Sequence, residues 1–94
     1  MKVKTEFGKY DVTMHKTQYA RPRNLAIQLT DNEDGCPFAT LTVNLGDELA
    51  EDLAYVDTNN CPWAEDFIKE NKLGEFAGQY RRSGYCAYPL YRFY

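Results

Sequence analysis

The segment Asn59–Gly74 most constrains the fold, because it is the one stretch of the sequence with a clear helical pattern. Trp63, Phe67 and Ile68 are spaced to share one face of a helix. No second segment of comparable length repeats this pattern, so the helix must bury its apolar face against strands. We expect Trp63 and Phe67 to be largely buried against Leu41 and its neighbours.

Both ends of this predicted helix carry typical terminal residues. Asn60 or Cys61 can cap the start, and Pro62 suits the first turn, where its missing N–H is not needed. Leu73 followed by Gly74 is typical of a hydrophobic C-terminal stop.

Alternating apolar and polar residues predict two hairpins in the first half of the chain. Residues 2–7 and 10–14 alternate on either side of a turn at Gly8-Lys9. Residues 25–30 and 38–45 alternate on either side of an acidic turn. We expect this second hairpin at the centre of the sheet, because its apolar face is the most regular in the chain.

The second half of the chain contains weaker signals. Residues 47–53 are compatible with one or two helical turns, and residues 54–58 with a short strand. Residues 76–82 and 85–93 can pair across Ser83-Gly84. Pro89 lacks an N–H, which predicts that the last strand lies at an edge or carries a bulge.

These elements predict a single α+β domain over residues 1–94. One main amphipathic helix packs on a mostly antiparallel sheet of five to seven strands. The length suffices for a modest core without a metal or disulfide. No long apolar run and no signal-peptide pattern is present, so we expect a cytoplasmic protein.

The residues that usually carry chemistry form no recognisable catalytic motif. Cys36, Cys61 and Cys86 are widely spaced without a C-x-x-C pair, which favours reduced, structural thiols over a metal site. His15, the only histidine, lies on the polar side of a predicted strand far from every cysteine. We therefore expect no catalytic residues, no metal and no cofactor.

Two near copies of one tetrapeptide stand 25 residues apart. Cys36-Pro-Phe-Ala39 opens a predicted strand, whereas Cys61-Pro-Trp-Ala64 opens the predicted helix. A true repeat keeps its secondary structure. We interpret the similarity as coincidence.

The most informative feature for function is an acidic block. Residues 24–68 contain ten Asp or Glu residues and no Lys or Arg. The block can be an ordinary solvated surface, or it can engage a basic partner protein, with carboxylates steering the encounter and aromatic residues supplying anchors. We favour protein binding and place the partner site on seven exposed positions: Asp31, Glu33, Asp34, Asp47, Glu48, Glu51 and Asp52.

The C-terminal run offers an alternative function. It mixes arginine with tyrosine, as proteins that bind single-stranded nucleic acid do, because guanidinium groups hold phosphates while rings stack on bases. The residues concerned are Arg81, Arg82, Arg92, Tyr85 and Tyr88. Tyrosine also suits a half-exposed sheet face, and the acidic block would repel a polyanion. We therefore rank nucleic-acid binding second.

Four short motifs resemble a family known as a domain of unknown function. They occupy residues 24–29, 41–45, 56–60 and 88–91, and the resemblance spans most of residues 19–94. The family consists of small bacterial proteins often found on conjugative elements and phages of gut bacteria. The resemblance implies no reaction or cofactor. It implies an accessory protein of a mobile element, a group that includes antagonists of host defence proteins.

Overall fold

The computed structural model describes residues 1–94, which form eight strands and one short helix. The elements are β1 (Lys2–Thr5), β2 (Gly8–Gln18), β3 (Leu25–Asp31), β4 (Pro37–Thr40), β5 (Thr42–Val43), β6 (Leu53–Val56), α1 (Ala64–Glu70), β7 (Gly74–Ser83) and β8 (Cys86–Phe93). The predicted α+β class with one helix and antiparallel pairing is confirmed. The strands number eight rather than five to seven, because they form two four-stranded sheets instead of one.

The first sheet has the strand order β1-β2-β3-β4. The first predicted hairpin is confirmed, although its turn is Glu6-Phe7 rather than Gly8-Lys9, because Thr5 pairs with Gly8. Strand β3 lies inside this sheet and buries Leu25, Ile27 and Leu29 as the alternation predicts. Strand β4 is at the edge of the sheet, so only half of the second hairpin is central.

The predicted strand 38–45 is wrong in one respect, because it divides at Leu41. The Leu41 N–H donates to the Ile27 carbonyl at 2.8 Å, whereas its own carbonyl accepts from the Asp57 N–H at 2.9 Å. Residues before Leu41 therefore belong to the first sheet and residues after it to the second. Thr42, expected on the polar side, is buried and accepts a hydrogen bond from the Ile27 N–H at 3.2 Å.

Residues 47–53 do not form the predicted helical turns. The buried side chain of Asn24 holds this segment against the start of β3. Its Oδ1 accepts from the Leu49 N–H at 3.0 Å, and its Nδ2 donates to the Asp47 carbonyl. These bonds engage backbone groups in place of a helical ladder, so the segment remains a loop.

The second sheet has the order β5-β6-β8-β7, and its β7–β8 hairpin confirms the predicted C-terminal pairing. Of the two alternatives predicted for the last strand, the edge position is wrong, since β8 has a neighbour on each side. The irregularity lies in β7, where three residues, 77–79, intervene between the pairs Phe76–Tyr91 and Tyr80–Pro89. Pro89 is tolerated because it lies one residue beyond the β6–β8 ladder, whose last pair is Tyr55–Leu90.

Helix α1 is shorter than predicted because its first turn is not helical. The Asp57 side chain accepts from the Asn60 N–H at 3.2 Å, and its carbonyl accepts from the Cys61 N–H at 2.8 Å. The next turn, closed by the Ala64 N–H donating to the Cys61 carbonyl at 3.0 Å, contains Pro62. Trp63 occupies the N-cap position without a side-chain capping bond. The predicted caps at Asn60 and Cys61 are therefore wrong. At seven residues, α1 is neither long nor apolar enough to span a membrane.

The end of the helix also differs from the prediction. Lys72, not a glycine, takes the left-handed conformation (φ 52°), and the Leu73 N–H donates to the Ile68 carbonyl at 3.0 Å. Gly74 instead permits a close approach of two strands. A Cβ at this position would lie 2.4 Å from the carbonyl oxygen of Arg92.

The core contains residues of both sheets and of α1. Ala64, Phe67 and Ile68 are buried in one cluster with Leu41 and the inward residues of β3, as predicted for the helix face. Trp63 differs, because it is only half-buried at the margin of this core. The predicted burial of Trp63 is therefore incomplete, and its exposed side lines a cavity beside β4.

Candidate functional site

The seven acidic residues predicted as one patch lie in two groups at opposite ends of β3. Asp31, Glu33 and Asp34 belong to the β3–β4 turn, which we call the acidic turn. The other four lie in the β5–β6 connection, which Asn24 ties to the start of β3. Seven residues of strand separate these two ends, which is roughly 20 Å at about 3.3 Å per residue. The seven residues therefore do not form one contiguous patch.

Two acids of the second group are paired with arginines. Asp47 forms an ion pair with Arg81, and Asp52 Oδ2 lies 3.2 Å from Arg92 Nε. The Tyr55 hydroxyl also donates to Asp47 at 2.9 Å. Hydrogen bonds from Arg81 and then from Tyr55 lower the pKa of Asp47. These contacts neutralise half of the second group.

The same ion pairs change the predicted nucleic-acid site. Arg81 and Arg92, two of its three arginines, face carboxylates of their own chain. Arg82 has no ion pair and is exposed, Tyr85 is fully exposed in the β7–β8 turn, and Tyr88 is half-buried. The predicted nucleic-acid site thus lies against the second acidic group on the second sheet, with opposite charges in contact.

The acidic turn keeps its negative charge. The Asp31 and Asp34 side chains accept backbone N–H bonds at 2.9 Å within the turn, so they shape it as well as charge it. Glu33 is exposed and makes no side-chain hydrogen bond or ion pair. Asn32 links the turn to β2 through a 3.3 Å hydrogen bond to Asp11.

A cavity of about 540 Å³ lies between the β1–β2 turn, strand β4 and the turn before α1. Four aromatic side chains line it, namely Phe7, Tyr10, Phe38 and Trp63. We call it the aromatic groove. Its polar lining residues include Lys4, Glu6 and Asn60.

The aromatic rings form a continuous row from the groove into the core. Tyr10 and Phe38 have ring centroids 5.0 Å apart, and Phe38 and Trp63 are 5.7 Å apart. Trp63 meets the buried Phe67 ring edge-on at 5.9 Å. Contact with the core through Phe67 therefore helps to position the rings of Trp63, Phe38 and Tyr10.

Phe7 is the most exposed apolar residue of the groove, with 83 % of its surface in solvent. It occupies the tip of the β1–β2 hairpin, where its N–H donates to Thr5 Oγ1 at 3.1 Å. A phenylalanine held in water at a turn gains nothing for the isolated fold. With the neighbouring groove rings, it forms an exposed apolar patch.

The acidic turn lies beside the groove. Asp31 pairs with Val12, two residues from Tyr10, and Phe38 follows Asp34 by four residues. The chain therefore places negative charge at the Tyr10 and Phe38 side of the groove. The hairpin side carries one charge of each sign, Lys4 and Glu6.

Sequence reasoning did not find this groove, because its rings come from three distant segments. One signal was present in the two Cys-Pro-aromatic-Ala tetrapeptides. Their secondary structures differ, as noted for the sequence, but their aromatic residues Phe38 and Trp63 pack against each other. Each proline precedes a ring that the fold places at the same groove.

The three thiols occupy different environments. Cys36 is exposed, Cys86 is half-buried, and Cys61 is buried with its Sγ 3.7 Å from the Thr40 carbonyl. Burial, together with the charge of Asp57, raises the pKa of Cys61 to about 11. His15 lies exposed on β2 opposite Gln28.

The fold and the groove define a small, mostly antiparallel α+β domain with an open, aromatic-lined site. Residues 13–94 match the family described as a domain of unknown function, DUF4313, and the chain belongs to this family. The matched region contains Phe38 and Trp63, whereas Phe7 and Tyr10 precede it. Searches of curated proteins and of solved structures found no match.

Proposed function

We propose that this protein is a non-catalytic protein-binding module that engages a basic partner. An apolar side chain of the partner occupies the aromatic groove, and Lys or Arg residues beside it face the acidic turn. The observation that carries the proposal is the position of the preformed aromatic groove next to an unneutralised acidic turn.

The groove has the size and lining of a binding site. Its volume of about 540 Å³ lies within the usual range for ligand sites. Tyrosine, tryptophan and phenylalanine are the residues most often found at the centre of protein interfaces. A partner side chain that covers Phe7 would remove an exposed apolar surface from water.

The charges around the groove favour a basic partner and determine how that partner is oriented. Glu33 supplies an unpaired carboxylate, and no cation of the chain contacts the acidic turn. Such charges speed the encounter with an oppositely charged partner. The hairpin side carries no net charge, because Lys4 offsets Glu6, so the partner's basic residues lie toward the acidic turn.

The non-catalytic part of the proposal rests on the chemistry of the groove lining. Its one thiol, Cys61, is protonated at neutral pH because burial raises its pKa. The family resemblance supports an accessory role on a mobile element. That setting is part of the proposal.

A random-peptide display experiment on the full chain tests the proposal. Selected peptides should share an aromatic or large aliphatic residue flanked by Lys or Arg. Trp63 is the only tryptophan and lies in the groove, so its fluorescence should change on titration with a synthetic selected peptide. Phe7→Ser should weaken binding, whereas Tyr85→Ser, at the turn of the other long hairpin, should not.

A charge-reversal pair tests the acidic turn separately. Glu33→Lys should weaken binding of the same peptide at low salt, and the defect should shrink as salt screens the surface. Glu51→Lys makes the same change in the other acidic group and should leave binding unaltered. Peptides that bind equally well to Phe7→Ser and Glu33→Lys would contradict the proposed site.

A further inference from the structure

Strand β7 is the edge of the second sheet, and nothing in the chain pairs with its outer side. It is ten residues long and nearly all of it is exposed. Phe76 and Tyr80 are 43 % and 63 % exposed, and their rings lie 5.2 Å apart. A long edge with exposed aromatic residues readily accepts a further strand.

The residues of β7 are arranged symmetrically about Gly78. Phe76 and Tyr80 stand two residues from Gly78 on either side. Glu75 and Arg81 stand three residues away on either side and carry opposite charges. A strand with this order is complementary to an antiparallel copy of itself, which is the requirement for a two-fold interface.

We propose that β7 pairs with β7 of a second copy of this chain, antiparallel and centred on Gly78. Phe76 of each copy then lies opposite Tyr80 of the other, and Glu75 of each lies opposite Arg81 of the other. The two four-stranded sheets join into one continuous sheet across the interface.

The observed side-chain contacts agree with this pairing. Phe76 packs on Tyr91 at 5.9 Å, so Phe76 and Tyr80 extend the core-facing side of the sheet. Residues directly opposite in an antiparallel pair share one face, so the four rings of the two copies meet there. Arg81 contacts Asp47 of its own chain, so in the dimer it would lie between Asp47 and Glu75 of the other copy. Glu75 forms no ion pair within its own chain and gains one.

The bulge at residues 77–79 lies at the proposed two-fold axis, so the backbone pairing uses the β7 residues on either side of it. Gly78 adopts a left-handed conformation (φ 90°), and open space lies where a Cβ would project. Bulges protect many edges, as do lysine and proline. This edge contains neither lysine nor proline, and the residues of its bulge are uncharged (Ala77, Gly78 and Gln79).

Sedimentation of the purified full chain over a concentration series tests the proposal. The wild type should be dimeric at high concentration. Glu75→Arg should raise the dissociation constant about tenfold or more, because it places two arginines opposite each other. Glu70→Arg makes the same charge change at an exposed position of α1 and should not alter dimerisation. The groove variant Phe7→Ser should not alter it either.

A mixing experiment distinguishes this interface from any other. Glu75→Arg and Arg81→Glu should each dimerise weakly alone, yet form a heterodimer when mixed, since both charge pairs are then restored. Phe76→Ser/Tyr80→Ser, checked for folding by circular dichroism, should be monomeric. A wild type that stays monomeric at about 500 µM, above the dissociation constants of specific interfaces, would overturn the proposal. So would a dimer unaffected by Glu75→Arg and by the aromatic double variant.

Discussion

Asp47 and Arg81, 34 positions apart in the sequence, form an ion pair on the second sheet. One belongs to the acidic block and the other to the arginine-tyrosine run, so the contact joins two surfaces that the sequence presents as alternatives. Asp52 and Arg92 repeat the arrangement at 3.2 Å. The charge separation along the chain is therefore partly cancelled in the folded protein.

The Asp47 ion pair should make stability depend on pH in a defined direction. The hydrogen bond from Arg81 is the main cause that lowers the pKa of Asp47 in the folded state. A lowered pKa contributes stability that is present above the unfolded value of about 3.9 and is lost as pH falls through the folded pKa. Asp47→Asn should therefore be less stable than wild type at neutral pH, with the difference shrinking below about pH 4.

Urea denaturation at neutral and acidic pH measures this difference. Glu48→Gln is a suitable control, because Glu48 is an exposed neighbour without an ion pair. A difference between wild type and Asp47→Asn that did not change with pH would show that the ion pair is absent in solution.

Release of the paired arginines should create an affinity for nucleic acid that the wild type lacks. In Asp47→Asn/Asp52→Asn, Arg81 and Arg92 lose their carboxylate partners. This variant should bind a single-stranded oligonucleotide weakly at low salt, with affinity falling as salt rises. Fluorescence anisotropy measures the binding.

The matched control for that experiment is Glu48→Gln/Glu51→Gln. It changes net charge by the same amount but frees no arginine, since neither glutamate is paired. Equal binding by the two double variants would mean that net charge alone determines the affinity for the oligonucleotide. Tight binding by wild type would instead favour the nucleic-acid alternative.

Core and groove positions of the aromatic row should differ in their effect on stability. Phe67 is 2 % exposed, so Phe67→Ala should lower the free energy of unfolding by about 3–5 kcal/mol. Trp63 is half-buried, and Trp63→Ala should cost less, roughly 1–2 kcal/mol from the smaller buried area. Chemical denaturation followed by circular dichroism measures both. The reverse order would place Trp63, not Phe67, in the core.

The thiols should react at rates set by burial. Cys36 is exposed and should react rapidly with a thiol reagent at mildly alkaline pH. Cys61 is buried and its pKa is raised to about 11, so it should react only when the protein unfolds. Counting reacted thiols over time, with Cys36→Ser as the control that removes the fast phase, checks this. Rapid labelling of Cys61 would mean that the groove opens to the core.

Local sequence determined those parts of the fold that depend on neighbouring residues. Alternation along β1, β2 and β3 identified the first strands, and Ser83-Gly84 identified the turn of the last hairpin. The spacing of Phe67 and Ile68 identified the buried face of α1. Side-chain period and turn chemistry act within a few residues, so a sequence displays them directly.

Breaks inside a regular pattern were not visible in the sequence. Residues 38–45 keep one alternation through Leu41, although the strand changes sheets there. Thr42 is buried where the alternation predicts an outward polar residue, so burial changes at the break while the order of residue types does not. The N–H and carbonyl of Leu41 find different partner strands, and only the packing of the two sheets determines which.

The positions of the acidic groups, the ion pairs and the aromatic groove depend entirely on the tertiary structure. The sequence by itself determined one helix, antiparallel hairpins and a chain divided into acidic and basic regions. Only the tertiary structure separated the acidic residues to the two ends of β3 and paired Asp47 with Arg81. It also placed Tyr10, Phe38 and Trp63 around one groove. Long-range proximity depends on how the sheets pack, and no periodicity along a single segment encodes it.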